Sequence, residues 1–203
     1  KTADVPETVI HKINLTTGAN EIVLKEADGT IAQYSADLKK VYAYTLNDAQ
    51  FKLFEVDLET KKKRTIFEDT KKNHSLRLSP DGKWMVCYRQ SDQGEAGSLG
   101  LISIETGEHQ DVCQAEVGNP AWLNPNFMAD GKHIVYITAE YKDNDVVFVL
   151  WRVNIDTKQT GRLWTLKKWG RFMRLNPSGD KLSWSRIESV TTNWVMENIF
   201  PAE

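Results

Sequence analysis

Short apolar and β-branched runs alternate with compact polar turns along the whole chain. No segment sustains the three-to-four-residue apolar spacing of an amphipathic helix, so the pattern predicts strands throughout. Four turns share one form: Ser35-Ala36-Asp37-Leu38-Lys39, Ser79-Pro80-Asp81-Gly82-Lys83, Met128-Ala129-Asp130-Gly131-Lys132 and Asn176-Pro177-Ser178-Gly179-Asp180. Aligned on Asp37, Asp81, Asp130 and Ser178, they recur at steps of 44, 49 and 48 residues. Each follows a short apolar segment and precedes a β-rich one, such as Trp84-Met85-Val86-Cys87-Tyr88 or Ile134-Val135-Tyr136-Ile137. Proline cannot donate to a strand ladder and glycine tolerates positive φ, so Pro-Asp-Gly between two such runs reads as a hairpin.

A second turn alternates with the first, at Leu15-Thr16-Thr17-Gly18, Leu58-Glu59-Thr60-Lys61, Ile104-Glu105-Thr106-Gly107 and Ile155-Asp156-Thr157-Lys158. Aligned on the last threonine of each, its steps are 43, 46 and 51 residues. Two hairpin turns in phase give four strands per unit, here named A to D. The Asp-Gly turn joins A to B and the Thr-Gly turn joins C to D. A unit of roughly 40–50 residues made of four strands is a β-propeller blade. The expected fold is therefore all-β, a propeller of four-stranded antiparallel blades. The expected blades run approximately 1–27 (partial), 28–70, 71–113, 114–166 and 167–203 (partial), within one domain. Strands C and D come first, then three full blades, then A, B and C. Four to five blades are represented, fewer than closes a common ring neatly, so the expected fold is a partial propeller. Incomplete end blades would expose apolar faces, which predicts self-association or partner binding.

Ser79-Pro80-Asp81-Gly82-Lys83-Trp84-Met85-Val86, followed by Leu101-Ile102-Ser103-Ile104-Glu105-Thr106-Gly107, resembles the WD-repeat-like blade of TolB-type propellers. Related blades occur in the propeller domains of prolyl-oligopeptidase-like peptidases and in oligogalacturonate lyases. The likeness extends along nearly the whole chain as repeats, and only the second full unit matches closely. The first lacks Pro and Gly in its A–B turn, the third has Ala129 for Pro, and the last has Ser178 for Asp. The motif specifies architecture; it builds a hairpin and binds nothing itself. The resemblance implies a periplasmic or extracellular protein, with a cytoplasmic one still open.

Composition narrows the function classes. The chain has 203 residues, 26 Lys+Arg against 28 Asp+Glu, and a formal net charge of -2, so no global bias draws it to nucleic acid or anionic membrane. The basic run Lys61-Lys62-Lys63-Arg64 sits at a turn signal and reads as a solvated turn. No apolar run approaches the ~18 residues of a membrane span. The two cysteines, Cys87 and Cys113, fall on non-adjacent strands of one blade, about 9.5 Å apart by strand spacing, and read as buried free thiols. Asn14-Leu15-Thr16 matches a glycosylation sequon, a pattern that arises often by chance.

Candidate chemistry is sparse. None of His11, His74, His109 and His133 pairs at a metal-ligand spacing, and there is no C-x-x-C, G-x-S-x-G or phosphate-binding glycine loop. His109 and His133 lie beside turns and read as solvent-facing; His74, ahead of an A strand, is the histidine kept as a site candidate. Propellers carry function on the loops at one end of the blades, here D–A and B–C. Aligning the A strands gives a polar column of Gln33, Arg77, Asn126 and Arg174, which must face water, a ligand or buried partners. Arg77, Arg171 and Arg174 are candidate bidentate donors to an anion. Trp122 and Trp169, in D–A loops, are candidate stacking platforms. Trp84, Trp151, Trp184 and Trp194 fall in strand runs and read as packing residues. The expected ligand-binding set is His74, Arg77, Trp122, Asn126, Trp169, Arg171 and Arg174, with no catalytic residue, metal or cofactor. The sequence reads as a non-enzymatic scaffold binding a protein partner, a peptide or a carboxylated sugar. The alternative is the propeller portion of an enzyme, either a lyase of uronic-acid oligosaccharides or a serine peptidase whose catalytic domain lies outside this chain.

Overall fold

The computed structural model describes residues 8–13, 15–26, 30–46, 50–70, 73–91, 97–115, 124–142, 145–166, 170–176, 181–186 and 192–197. They form seventeen strands and no helix. Strands β1 (Thr8–Ile13) and β2 (Asn20–Glu26) make a two-stranded sheet. Strands β3 (Thr30–Tyr34), β4 (Lys40–Leu46), β5 (Phe51–Asp57) and β6 (Lys63–Asp69) make a four-stranded antiparallel meander. So do β7 (Asn73–Leu78), β8 (Trp84–Gln90), β9 (Gly97–Ser103) and β10 (His109–Ala115). A third such sheet comprises β11 (Asn126–Phe127), β12 (His133–Lys142), β13 (Asp145–Asn154) and β14 (Thr160–Leu166). The last, three-stranded sheet holds β15 (Gly170–Leu175), β16 (Lys181–Arg186) and β17 (Thr192–Glu197). Every pairing is between strands consecutive in the chain, as the alternating turns require.

The chain divides into two compact units. One comprises residues 1–72 with the turn Glu105–Gly107; the other comprises Asn73–Ile104 and Glu108–Glu203. In the first, Val41, Ala43, Phe54 and Val56 form one buried face of the β3–β6 sheet, with Leu58 packed on it. Lys63 lays its ammonium 3.6 Å from the Phe54 ring centroid, a cation–π contact. On the two-stranded sheet Ile13, Leu15 and Ile22 are exposed.

In the second unit, Val86, Tyr88, Leu99 and Leu101 pack with Phe127, Ile134, Tyr136 and Val153. The opposite side of β12 and β13, carrying Val135, Ile137, Phe148 and Leu150, packs with Leu182. The β11–β14 sheet is therefore buried on both faces. This explains why its B and C strands read as continuous apolar runs rather than alternating ones: successive side chains point to opposite faces, and here both are dry. Trp84 and Trp151 pack at the edge of the first of these clusters, the role their strand positions predict.

The two turn types hold their shape by side-chain capture of backbone amides. In the A–B turns Asp37 Oδ1 accepts from Ser35 Oγ (2.6 Å) and Lys39 N (3.0 Å), while Ser35 Oγ accepts from Lys40 N (2.9 Å). Ser79 and Asp81 repeat this with Lys83 N (3.1 Å) and Trp84 N (2.9 Å). Asn176 stands in for the serine, its Oδ1 accepting from Lys181 N at 2.9 Å. In the C–D turns the capping residue is Asp57 or Asn154, which accepts from the amides of Thr60 (2.7 Å) and Thr157 (2.9 Å). The two turns of each full sheet lie side by side at one end. Leu58 N donates to Lys39 O (2.8 Å), Ile104 N to Lys83 O (2.9 Å) and Ile155 N to Lys132 O (2.9 Å). The D–A and B–C connections consequently emerge at the other end of each sheet.

Two expectations need correction. His133 is not a free solvent-facing side chain: its Nδ1 lies 2.6 Å from Asp130 Oδ2 and its Nε2 3.2 Å from Asn154 Nδ2, linking the A–B turn to the end of strand C. His109 is largely buried, at 12% side-chain exposure. Its Nε2 approaches Gly100 on the adjacent strand, so closely that a Cβ there would collide with it. A glycine in a strand marks such a close approach. Both cysteines are free, as expected, with Cys87 buried on β8; Cys113 on β10 is only half-buried, and its thiol donates to Tyr136 Oη at 3.7 Å.

Candidate functional site

The polar column of the A strands is in register. Gln33 pairs with Tyr42, Arg77 with Val86, Asn126 with Val135 and Arg174 with Ser183. These partners stand at one equivalent position of strand B in each sheet. Each A strand lies at the edge of its own sheet, so the column residues sit on strands with one side open to other groups.

A bulge precedes the column residue on β3, β7 and β15. The register slips between Ile31 and Gln33, between His74 and Arg77, and between Arg171 and Arg174. A bulge inserts extra residues opposite the partner strand and re-aims the side chain that follows. On β7 the slip contains Ser75, at φ 57°, two residues before Arg77. Asn124, at φ 37°, stands two residues before Asn126. Left-handed backbone at a non-glycine residue is uncommon, asparagine being among the more tolerant types. Two such residues at the same offset from the column are a feature that turn and period reading did not find.

In the second unit these pieces meet. Strands β7 and β11 run within contact of one another. The half-buried guanidinium of Arg77 donates from Nη1 to Leu76 O (2.7 Å) and from Nη2 to Asn124 Oδ1 (3.3 Å). Asn126 Nδ2 donates to Asn124 O at 2.9 Å. Asn124 thus receives one bond from each of two column residues. Arg174, on β15, is exposed. Of the other expected site residues, Trp122 and Trp169 and the side chains of His74 and Arg171 lie outside the described residues. Among the described residues no group of three or more His, Cys, Asp or Glu side chains is placed to hold a metal ion. Trp164, which the sequence reading left unassigned, is 53% exposed on β14. Arg162, beside it, lies 3.5 Å from Glu140.

The titratable groups with clear shifts are structural. Burial works to raise the Asp81 carboxyl, and the bonds from Ser79 and Lys83 outweigh it, leaving it below the ordinary carboxylate range. Asp130 is likewise held low: burial opposes, while His133 and the amides of Lys132 and His133 stabilise the anion. In the first unit burial, then the neighbouring Glu55, pushes the Tyr42 phenol up to about 12. Glu55 is itself buried, with Lys40 Nζ at 3.2 Å and Arg64 Nη2 at 3.6 Å.

No protein-family model matches the sequence, and no curated protein matches it. Solved structures do. TolB from Acinetobacter baumannii aligns with a TM-score of 0.72 at 16% identity, over 94% of this chain and 46% of TolB. The propeller domain of the trilobed protease from Pyrococcus furiosus aligns with a TM-score of 0.66 at 15% identity, over 94% of this chain and 61% of that one. An oligogalacturonate lyase in complex with manganese aligns with a TM-score of 0.53 at 11% identity, over 88% and 64%. The chain spans about half the length of the TolB it matches. At these identities the likeness is one of fold. This chain is a run of four-stranded β-propeller blades, sharing its fold with TolB, the trilobed protease propeller and oligogalacturonate lyase.

Proposed function

We propose that residues 1–203 are a single partial propeller domain acting as a non-enzymatic scaffold. It binds an anionic or otherwise polar ligand, or a protein partner presenting carboxylates, at the polar column of the A strands. The observation that carries this reading is the registered column in the second unit: Arg77 and Arg174 each follow a bulge on an edge strand, with Asn126 at the equivalent position between them in sequence. Guanidinium groups recognise carboxylates through paired, charge-assisted hydrogen bonds. Sequence-wide charge gives no competing attraction, since the net charge is only -2. The TolB-like fold supports a periplasmic or extracellular setting.

The test is a binding measurement on Arg77→Ala combined with Arg174→Ala. The probe is a fluorescein-labelled hexaglutamate peptide, with trigalacturonate as competitor. Loss of retention with the melting temperature within a few degrees of the parent supports the reading; unchanged retention sinks it. The fold shared with a manganese-bound lyase gives the enzymatic alternative one supporting observation. Incubating the protein with trigalacturonate and manganese, and following unsaturated product by ultraviolet absorbance, decides that alternative.

A further inference from the structure

We propose that Asn124 is a positioning residue for the ligand site, acting through Arg77; this rests on the binding reading above. Three observations bring Asn124 to that role. Its Oδ1 accepts from Arg77 Nη2 at 3.3 Å, across from a different sheet. Its carbonyl accepts from Asn126 Nδ2 at 2.9 Å. Its backbone sits in the left-handed region at φ 37°, where most side chains are disfavoured and asparagine is tolerated. One residue therefore ties two members of the polar column, from the edge strands of adjacent sheets, to a single backbone point.

The physical consequence concerns Arg77. An arginine side chain has several rotatable bonds and loses most of its rotamer freedom when fixed. Leu76 O, at 2.7 Å from Nη1, belongs to the residue next to Arg77 and moves with the same strand. Asn124 Oδ1 belongs to the neighbouring sheet and fixes the guanidinium relative to Asn126 and β11. A fixed fork binds a carboxylate with less ordering left to do at the moment of binding. Ser75, at φ 57° and the same offset on β7, shows that the left-handed position recurs without an amide side chain. The backbone bend is thus common to both strands, and the side-chain bond to Arg77 is what asparagine adds.

The experiment is a double-mutant cycle between Asn124→Gly and Arg77→Ala, read with the hexaglutamate probe by fluorescence anisotropy. Glycine accepts the left-handed backbone and keeps the carbonyl for Asn126, so the variant removes the side-chain amide and with it the acceptor for Arg77. Asn124→Gly is expected to weaken probe binding about tenfold, in line with a lost hydrogen bond to a charged group, with the melting temperature within a few degrees of the parent. In the Arg77→Ala background it is expected to change binding less than twofold, because the residue it acts through is gone. Equal weakening in both backgrounds, or wild-type affinity for Asn124→Gly, overturns the positioning role while leaving the ligand site standing. If Arg77→Ala with Arg174→Ala binds the probe as the parent does, the site itself fails and this role with it.

Discussion

Leu38 occupies the place in its A–B turn that Gly82 and Gly131 take in the next two, and all three have left-handed backbone, with φ of 58°, 72° and 65°. A branched side chain there crowds the following carbonyl, a penalty of roughly 1–2 kcal/mol that glycine avoids. The leucine is 68% exposed, so its removal sacrifices little packing. Leu38→Gly is expected to stabilise the protein by up to about 1 kcal/mol after the extra freedom of glycine in the unfolded chain is counted, seen as a higher urea midpoint. A lower midpoint would show that the leucine makes contacts worth more than the strain. The carboxylates of the same turns set an acid limit. Asp81 and Asp130 are more acidic in the folded protein than in a free chain, whose aspartates titrate near about 3.9. Their stabilisation is fully present above that value and is lost as pH falls through the lower, folded value. Melting temperature should therefore fall below about pH 4. Asp81→Asn should flatten part of that decline; an unchanged acid limb would contradict the assignment.

Strand D shows how an element reconciles a polar outer edge with a buried face. On β2, β6, β10 and β14 the register slips once, adding Val23, Ile66, Val112 and Leu163 respectively. The added residue is apolar every time, and Ile66 and Val112 are buried between more exposed neighbours. Extra residues in a strand change which face the side chain meets. Val112→Ala should cost roughly 1.5–2.5 kcal/mol, from lost transfer energy and the cavity left behind. Gln110→Ala, two residues earlier and exposed, should stay within about 0.5 kcal/mol. Equal effects in denaturant melts would mean that the bulge does not sort the two. The hairpins were legible in the sequence because Pro-Asp-Gly and Thr-Gly impose local geometry. The bulges were not, because nothing in Asp111-Val112-Cys113 or Ser75-Leu76-Arg77 departs from ordinary strand composition. His109 was misread for a related reason: its burial depends on Gly100, a cross-strand neighbour that turn position cannot reveal.

At the scale of the molecule, two phased turns were enough to read four strands per blade, because each turn fixes only its own hairpin and the phase fixes their order. The same reading aligned Gln33, Arg77, Asn126 and Arg174 as one column, and the strand register agrees. What it could not reach was the bond network that Asn124 makes with that column, since the partners lie 47 residues apart in the chain. On the proposed function, ligand binds at the bulged A-strand edges of the second unit. The decisive experiment is a nuclear magnetic resonance titration of the labelled protein with hexaglutamate. Saturable shifts are predicted at the amides of Arg77, Asn124, Asn126 and Arg174, and their disappearance when Arg77→Ala is combined with Arg174→Ala. Saturable shifts confined to residues outside the A strands, or none at all, would contradict it.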